Sequence, residues 1–541
     1  MDNIGMLKQI IKNGLESMDV HVEDSFIVIE ESKEKSHGDY ATNVAMKLAS
    51  QLKKSPNLIA KDLIENMDKS NFDKIEIAGP GFINFFMKVE SLTNVIDKIL
   101  DEGENFGNGA PKNKTVNIEY VSANPTGDLH IGHARGAAIG DSLSRILKKA
   151  GYNVIREYYI NDAGAQIDNL GKSLKSRYLE LFGISYPIPE DGYQGEDVKE
   201  IAKKLKEEFG DKFTKNYDSD DDLQFFKDYG KALELEKIKK DLKEFRVEFD
   251  VFTSELDVRK NDSIPHLLEK QKDHIYEQDG ALFLKTTDYL DDKDRVIVKS
   301  DGSYTYFLPD IVYHLDKLSR NADSLIDVLG ADHHGYINRM KSALMMNGYS
   351  ENALDIVLIQ MVRIMKGGEE VKVSKRTGNA LKLRDLSYEV GTDACRYFFA
   401  ERASTSHLDF NLDLALERNS SNPVYYAQYA YARIQTVLTL SEIEPNKHYE
   451  LLTNDDELSI MKCLNEYAKI IEQSANEKAP YKICNYIQKL ATLIHSFYAK
   501  YRIIDKDNSE LTGARLSLMK ACSIVLKDSL NLIGVDAPDK M

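Results

Sequence analysis

The chain has 541 residues, more than a single hydrophobic core usually supports, so its length predicts several domains. Its 42% hydrophobic and 29% charged residues are ordinary for globular proteins and exclude a disordered or fibrous chain. The formal net charge of -17 disfavours a protein coated in nucleic acid, although a local surface could still bind RNA.

The cysteine spacing disfavours a disulfide-linked or zinc-stabilised protein, and the hydropathy disfavours a membrane or secreted protein. The four cysteines (Cys395, Cys463, Cys484 and Cys522) are far apart, without a C-x-x-C pair or a nearby histidine cluster, so neither disulfides nor structural zinc is expected. No apolar run approaches the ~18 residues of a membrane-spanning helix, and the N-terminal segment lacks the apolar core of a signal peptide. The sequence therefore predicts a cytoplasmic protein without a membrane partner.

Residues 1–88 predict a small α+β module. A helical pattern at the start is followed by the loop 37–40, a second amphipathic helix and a strand-like run in which Gly79-Pro80-Gly81 forces a turn. Residues 89–114 are expected to be a linker, because 101–114 is polar and rich in Gly and Asn.

Residues 115–390 predict an α/β domain with a parallel sheet. A strand at 115–123, a helix from Gly132 to Lys149 and a strand at 153–160 form a βαβ unit. Strand and helix alternate again from about residue 325, whereas about 170–300 reads as charged helix and hairpin. The segment 170–300 is therefore interpreted as an insertion that splits a nucleotide-binding fold.

The C-terminal part predicts a helical bundle. Residues 391–421 form a connecting region, and 422–541 read as successive helices, the first capped by Asn422 with Pro423 in its first turn. Most tyrosines of this first helix are expected in the helix core, whereas exposed ones could stack on the bases of an RNA loop.

A histidine loop lies where the first strand of the α/β domain passes into a helix. It contains His130, Gly132 and His133, preceded by the turn residue Gly127. A helix N-terminus offers N–H donors and partial positive charge, and a glycine lets a purine approach the backbone, so the loop predicts an ATP site. Alone, such a pair of histidines is more often incidental.

A cationic loop follows some 240 residues later, with Lys372, Ser374, Lys375 and Arg376 among small residues. Cations held near a triphosphate would stabilise the charge that develops on leaving pyrophosphate. Alone, this segment would be read as a solvated basic loop.

Together and in this order, the two loops resemble the HIGH and KMSKR signatures of class I aminoacyl-tRNA synthetases, with Val373 where Met is common. Further segments resemble arginyl-tRNA synthetases, so the resemblance covers essentially the whole chain. These segments are 37–40, 119–127, 156–162, 249–251, 301–306, 330–335, 422–430 and 534–538.

The resemblance implies a Rossmann-like class I catalytic domain, an N-terminal module that binds the tRNA elbow and a helical domain that binds the anticodon. It implies that L-arginine and ATP give arginyl-adenylate and pyrophosphate, and that arginine then passes to the 3'-terminal ribose of arginine tRNA. Mg²⁺ would accompany ATP. It also implies a monomer, and activation that needs bound tRNA.

The resemblance assigns individual residues. Those implied for ATP are Gly127, His130, Gly132, His133, Gly330, Asp332, Lys372, Ser374 and Lys375, of which His130, His133, Lys372 and Lys375 would be catalytic. Those implied for arginine are Tyr306, Asp310 and Glu255 at the guanidinium and Glu119 and Asn124 at the α-amino end. Carboxylates and an aromatic face suit a guanidinium, although Glu255 is almost as readily a surface acid.

Two residues, Tyr426 and Gln428, are expected to contact tRNA. No protein metal site is expected, because His333 and His334 have no third ligand at a suitable spacing.

Three alternatives remain open. A cysteinyl-type synthetase would bring zinc ligands that the chain lacks, and short adenylyltransferases such as pantothenate synthetase lack the C-terminal helices. The third is an inactive, synthetase-like RNA-binding protein. The intact histidine and cationic loops disfavour it, and failure to consume ATP with arginine and tRNA would support it.

Overall fold

The computed structural model describes residues 3–32, 37–260, 263–371 and 381–541. Its N-terminal part is a helix-covered antiparallel sheet with strand order β1-β2-β4-β3. The elements are α1 (Asn3–Glu16), β1 (Ile29–Glu31), β2 (Tyr40–Thr42), α2 (Val44–Leu52), α3 (Pro56–Asn66), β3 (Phe72–Ala78) and β4 (Phe82–Met87). Gly79 and Gly81 have positive φ angles of 51° and 118°, so the predicted turn joins β3 to β4 as a hairpin.

The central part contains a five-stranded parallel sheet with the order β12-β11-β5-β6-β7, which confirms the predicted α/β fold. In chain order, the first elements of this part are α4 (Val89–Glu102), β5 (Thr115–Glu119), α5 (Ile131–Lys149) and β6 (Asn153–Ile160). Three helices and a short strand follow: α6 (Ala165–Glu180), α7 (Glu196–Phe209), α8 (Leu223–Glu244) and β7 (Val251–Ser254).

A small antiparallel sheet, β8-β9-β10, precedes the last two strands of the parallel sheet. The elements of this region are α9 (Glu255–Lys260), α10 (Ser263–Lys270), β8 (Ile275–Gln278), β9 (Ala281–Leu284), β10 (Arg295–Val298), α11 (Phe307–Ser319), β11 (Ser324–Gly330), α12 (Tyr336–Met346) and β12 (Leu354–Ile359).

The structure divides the expected insertion at 170–300 into two parts. Strand β7 lies inside that range, yet it pairs in register with β6 of the main sheet. The first excursion, α6 to α8, has its own core around the buried aromatic rings of Tyr178, Phe213 and Phe226. The second runs from α9 to β10. Because β7 is only four residues long, its strand pattern was too short to stand out in the sequence.

The next elements are the short strands β13 (Val362–Lys366), β14 (Glu369–Glu370) and β15 (Leu408–Asn411), which pair in the order β14-β13-β15, and the helices α13 (Leu383–Val390), α14 (Thr392–Ala400) and α15 (Leu412–Leu416). Residues 422–541 are helical, as expected, with α16 (Pro423–Leu440), α17 (Asp455–Asn476), α18 (Tyr481–Lys500) and α19 (Ser509–Leu532). The Asn422 side chain accepts the Val424 N–H at 3.0 Å, so the predicted cap of α16 is present.

Helix α4 occupies the first half of the expected linker at 89–114. Its side chains Leu92, Val95, Ile96 and Ile99 are buried, and the helix packs against α17 and α19. The amphipathic spacing of these residues drives the helix onto the bundle. Only the last residues before β5, from 106 to 114, form an irregular connection.

A buried arginine fixes the C-terminal end of the chain to the α/β domain. Arg396 donates to Asp141 Oδ2 at 2.5 Å and to the carbonyl oxygens of Ile533 and Phe245 at 2.9 and 3.0 Å. Gly534 has a φ of 68°, and a Cβ atom there would overlap the Arg396 guanidinium. This contact explains why glycine begins the C-terminal segment at 534–538.

Three acidic residues lie side by side across the parallel sheet. Glu119 on β5 is in register with Asp327 on β11 and with Glu157 on β6. Their side chains point to one face, where adjacent like charges would repel. All three are almost completely buried, so cations must neutralise them.

Helix α11 and its C-cap residue, Arg320, supply these cations. The fully buried Lys317 donates to Glu119 Oε2 at 2.8 Å and to Asp327 Oδ1 at 3.0 Å. Arg320 donates to both oxygens of Glu157, at 2.7 and 3.0 Å. Although burial alone would raise the pKa of Asp327, Lys317 and His314 bring it below its usual value.

We expect Lys317→Met to lower the free energy of unfolding by about 3–5 kcal/mol at pH 7, because it leaves buried Glu119 without its cation and buried Asp327 with His314 alone. The shift of the first urea transition measures this loss. The deficit should shrink as the pH falls from 7 towards 5, because an unpaired buried carboxylate has a raised pKa and protonation removes its charge. Lys240→Met, at an exposed lysine of α8, is the control; equal effects for both substitutions would contradict the prediction.

Candidate active site

The candidate site lies at the carboxyl edge of the parallel sheet, between β5 and β11, where the strand order reverses. Open α/β sheets bind ligands at this position. Glu119 ends β5, Gly330 ends β11 and Glu255 directly follows β7. The sheet thus brings three predicted site residues from distant parts of the chain to one edge.

The histidine loop caps helix α5. His130 Nδ1 accepts the Gly132 N–H at 3.1 Å, and His133 Nδ1 accepts the His130 N–H at 3.3 Å. The two rings stack with their centroids 3.7 Å apart. Because each Nδ1 is an acceptor, the proton of each neutral ring lies on Nε2, where it can be donated to a phosphate oxygen.

The environment of His133 keeps its imidazole uncharged at neutral pH. Burial, and the charge of the neighbouring His130, lower the pKa of His133 to about 3. A Cβ atom on Gly132 would lie 2.9 Å from His130 Cε1, so glycine allows the close stacking. Gly127 lies earlier in the same loop, near Asp197 of α7.

The backbone between β5 and this loop is strained. Val121 and Ser122 both have positive φ angles, 70° and 40°, which are unfavourable for residues with a Cβ atom, above all β-branched valine. Hydrogen bonds hold this conformation: Ser122 Oγ donates to Glu119 Oε1 at 2.9 Å and accepts the Tyr159 N–H at 3.1 Å. The strained turn therefore fixes the Glu119 carboxylate.

Three of the five residues predicted for the amino acid surround Tyr159. Burial raises the Tyr159 pKa, and the charges of Glu255, Asp310 and Glu119 raise it further. Burial raises the pKa of Asp310 to about 7, and Glu119 and Glu255 add to this shift. The Tyr336 hydroxyl donates to Asp310 Oδ2 at 3.4 Å. The pocket thus carries excess negative charge and favours a cationic ligand.

The other two predicted residues lie differently. Tyr306 immediately precedes α11, one turn before Asp310, but 80% of it is exposed. The Arg259 guanidinium carbon lies 6.0 Å from the centre of its ring. The Asn124 side chain donates to Gln166 on α6.

The predicted adenosine contacts follow β11. Gly330 is the last residue of the strand, and a Cβ atom there would lie 2.6 Å from Asp332 Oδ1, so only glycine permits this close approach. The Asp332 side chain is exposed and accepts a hydrogen bond from His333 Nδ1 at 3.1 Å. Asp332 is therefore accessible to a ligand.

Lys372, Ser374 and Lys375 of the cationic loop lie outside the described residues. The chain just after the loop contacts the histidine loop. The Leu383 N–H donates to the Leu129 carbonyl oxygen at 2.7 Å, and Lys382 pairs with Asp128 at 2.5 Å.

The two residues predicted to bind tRNA, Gln428 and Tyr426, have different surroundings in the structure. Gln428 is only 8% exposed, and its amide donates to Asp393 Oδ2 at 2.8 Å and to the Asp536 carbonyl oxygen at 2.9 Å. Gln428 therefore holds the C-terminal segment, and its contact with tRNA stays a prediction. Tyr426 is half-buried against His495, with ring centroids 4.3 Å apart.

A more exposed aromatic surface lies beside Tyr426. The rings of Tyr425 and Tyr429 stack at 5.9 Å, and the Arg433 guanidinium carbon lies 3.6 Å from the centre of the Tyr498 ring. Tyr429 is 40% exposed. This arrangement of planar groups suits stacking on unpaired bases.

Six residues that orient the candidate site were not predicted from the sequence: Ser122, Tyr159, Arg259, His314, Lys317 and Asp327. The signal for Lys317 and His314 was helical spacing, since both lie on the face of α11 that carries Asp310. Ser122 and Tyr159 gave no such signal, because their roles depend on strand pairing.

The described parts of the chain contain no group of three or more histidine, cysteine or acidic side chains arranged to hold a metal ion. Among the described helices, none is long and apolar enough to cross a membrane.

Three family models match successive parts of the chain. The Arginyl tRNA synthetase N terminal domain matches residues 5–87, and the catalytic domain of tRNA synthetases class I (R) matches 95–427. The DALR anticodon binding domain matches residues 427–541.

Known proteins show the same likeness over nearly the full length. The arginine–tRNA ligase of Bacillus subtilis is 50% identical, covering 95% of this chain and 94% of its own. The arginine–tRNA ligase of Bacillus licheniformis is 49% identical, covering 99% of this chain and 98% of its own. The solved arginyl-tRNA synthetase of Thermus thermophilus shares the fold, with a TM-score of 0.75, 20% identity and complete coverage of both chains. The chain therefore belongs to the arginyl-tRNA synthetase family, the arginine–tRNA ligases with a class I catalytic domain.

Proposed function

We propose that this protein activates L-arginine with ATP and transfers it to the 3'-terminal ribose of arginine tRNA. The observation that carries the proposal is the cluster of Glu119, Glu255 and Asp310 around Tyr159, next to the histidine loop. Arginine has two cationic ends, and this pocket offers a carboxylate to each.

The amino acid lies with its α-ammonium group at Glu119 and its guanidinium at Asp310, Glu255 and Tyr306. Glu119 is held from both sides, by Ser122 and by Lys317. Asn124 serves the α-amino end once its side chain leaves Gln166. This orientation directs the α-carboxylate towards the histidine loop.

ATP binds along the histidine loop and the end of β11. Gly127, Gly132 and Gly330 allow close approach of the nucleotide, and Asp332 accepts its ribose hydroxyls. His130 and His133 donate Nε2–H to phosphate oxygens. Lys372, Ser374 and Lys375 reach the same phosphates, which is supported by the contact of Leu383 with Leu129.

In the first step, an α-carboxylate oxygen of arginine bonds to the α-phosphorus of ATP, and pyrophosphate leaves. In the second, the terminal ribose hydroxyl of tRNA attacks the arginyl carbonyl carbon, and AMP leaves. The protein contributes positioning and stabilisation of developing charge, without a covalent enzyme intermediate. Mg²⁺ enters with the ATP phosphates as part of the substrate.

The remaining parts of the chain bind tRNA. The N-terminal module, residues 1–88, contacts the tRNA elbow, and the bundle, residues 422–541, contacts the anticodon loop. Residues 89–114 and 391–421 connect these parts to the catalytic domain at 115–390. The protein acts as a cytoplasmic monomer.

The direct test is ATP–pyrophosphate exchange with each of the twenty amino acids, with and without total tRNA. We expect exchange with arginine alone, and only when tRNA is present. No exchange under any condition would contradict the proposal and leave the alternative of an inactive RNA-binding protein.

Arginine binding should weaken below pH 7. Asp310 has a pKa of about 7 without a ligand, and it must be ionised to pair with the guanidinium. The Kd of arginine should therefore rise about tenfold per pH unit below this pKa. His133 does not titrate in this range, because its pKa is about 3. Calorimetry at pH 5.5–8 measures the effect.

Asp310→Asn should weaken arginine binding and remove most of this pH dependence. Asp273→Asn, at an exposed position far along the chain from α11, is the control and should keep the slope. An unchanged slope in Asp310→Asn would show that another group is responsible.

Tyr429→Ala should weaken tRNA binding by about 1–3 kcal/mol, because it removes an exposed ring from the aromatic surface. The KM for tRNA should rise accordingly, whereas arginine binding measured without tRNA should not change. Tyr289→Ala, at a ring of similar exposure (39%), is the control. A tRNA affinity equal to that of the control would exclude this surface from the interface.

A further inference from the structure

The candidate arginine site already contains a guanidinium from the chain itself. Arg259 lies one turn after Glu255 on α9, and its Nε and Nη2 atoms both donate to Glu255 Oε1, at 2.8 and 2.5 Å. Its guanidinium carbon faces the Tyr306 ring at 6.0 Å. Glu255 and Tyr306 are two of the three residues assigned to the substrate's guanidinium.

We propose that Arg259 is a specificity-determining residue: it occupies the Glu255–Tyr306 part of the guanidinium site when no amino acid is bound, and the guanidinium of the substrate must displace it. This inference rests on the proposed function, because it assumes that arginine binds between Glu119 and Asp310.

The burial of Glu255 gives the physical reason. Its side chain is only 9% exposed, so the carboxylate would be costly without a cation. Arg259 is 31% exposed and can swing towards solvent on its long side chain. The pair is therefore stable in the empty site, yet one partner can leave.

Asp310 allows the substrate's guanidinium to replace Arg259 in two steps. Its Oδ2 atom accepts a hydrogen bond from the Tyr336 hydroxyl, and it pairs with neither Arg259 nor Lys317, which bind Glu255 and Glu119. Burial raises the pKa of Asp310 to about 7, and the charges of Glu119 and Glu255 add to this shift. An arriving guanidinium binds Asp310 first, and only then replaces Arg259 at Glu255. The total number of charged hydrogen bonds to Glu255 is conserved.

This exchange favours arginine over lysine. A guanidinium can reproduce the two-nitrogen contact that Arg259 makes with Glu255, so its exchange costs little. An ammonium group is a compact charge without the planar fork, so it replaces this contact poorly and leaves Arg259 in place. Selection thus comes from competition within the site as well as from contacts with the substrate.

The test uses the full-length protein with tRNA and compares Arg259→Met with the unaltered chain. The KM for arginine and the inhibition constant of lysine are measured by ATP–pyrophosphate exchange. We expect the KM for arginine to fall or stay within twofold, and lysine to inhibit at least tenfold more strongly. The ratio of the lysine inhibition constant to the arginine KM should therefore fall. Arg259→Lys should fall between the two proteins.

Arg177→Met is the matched control, because Arg177 of α6 is also a partly buried arginine that pairs with a glutamate on its own helix, Glu180 at 2.8 Å, and it is not one of the residues assigned to the site. It should leave both constants unchanged. A rise in the arginine KM with no change in the ratio of the lysine inhibition constant to the arginine KM would overturn the inference. Arg259 would then only hold Glu255 in position. If Arg259→Met fails to fold, Arg259→Lys decides by the same ratio. Absence of arginine-dependent exchange in the unaltered chain would instead reject the proposed function.

Discussion

Three buried carboxylates lie in one row across the parallel sheet, and the catalytic domain depends on their neutralisation by helix α11. Lys317 bridges Glu119 and Asp327, and Arg320 binds Glu157. Without these cations, like charges on adjacent strands would repel in a medium that screens them poorly. The network therefore fixes the position of α11 on the sheet.

The same helix carries part of the substrate site, so the charge network and the site are mechanically linked. Asp310 lies on the face of α11 that also presents His314 and Lys317 to the sheet, and His314 bonds Asp327 at 2.7 Å. Glu119 belongs to both systems, because it lies in the middle of the row and faces the pocket. A shift of α11 would move Asp310 relative to Glu119, so the network sets the distance between the two carboxylates that are proposed to bind the ends of the amino acid.

The two halves of the site use different electrostatics. The proposed amino acid pocket has more carboxylates than cations, which favours a dicationic ligand, and burial together with these carboxylates raises the pKa of Asp310. The proposed nucleotide half presents the imidazole of His133 at a helix N-terminus, and burial and His130 lower its pKa so that it is uncharged. A neutral His133 would donate to a phosphate without adding a fixed charge next to the amino acid. The strained turn at Val121 and Ser122 joins the halves and holds both in place.

The fold class and the family could be predicted correctly from the amino-acid sequence alone. These features depend on local patterns: the strand–turn–helix around the histidine loop, the Gly79-Pro80-Gly81 turn and the cap at Asn422. Local patterns could not show that β7 joins the main sheet, because four residues carry too little periodicity. Nor could they show that Gln428 is used inside the protein, that Lys317 neutralises Glu119, or that Arg259 lies over Tyr306. Those facts depend on contacts between residues distant in the chain, and only tertiary packing, which buries some charges and pairs others, decides them.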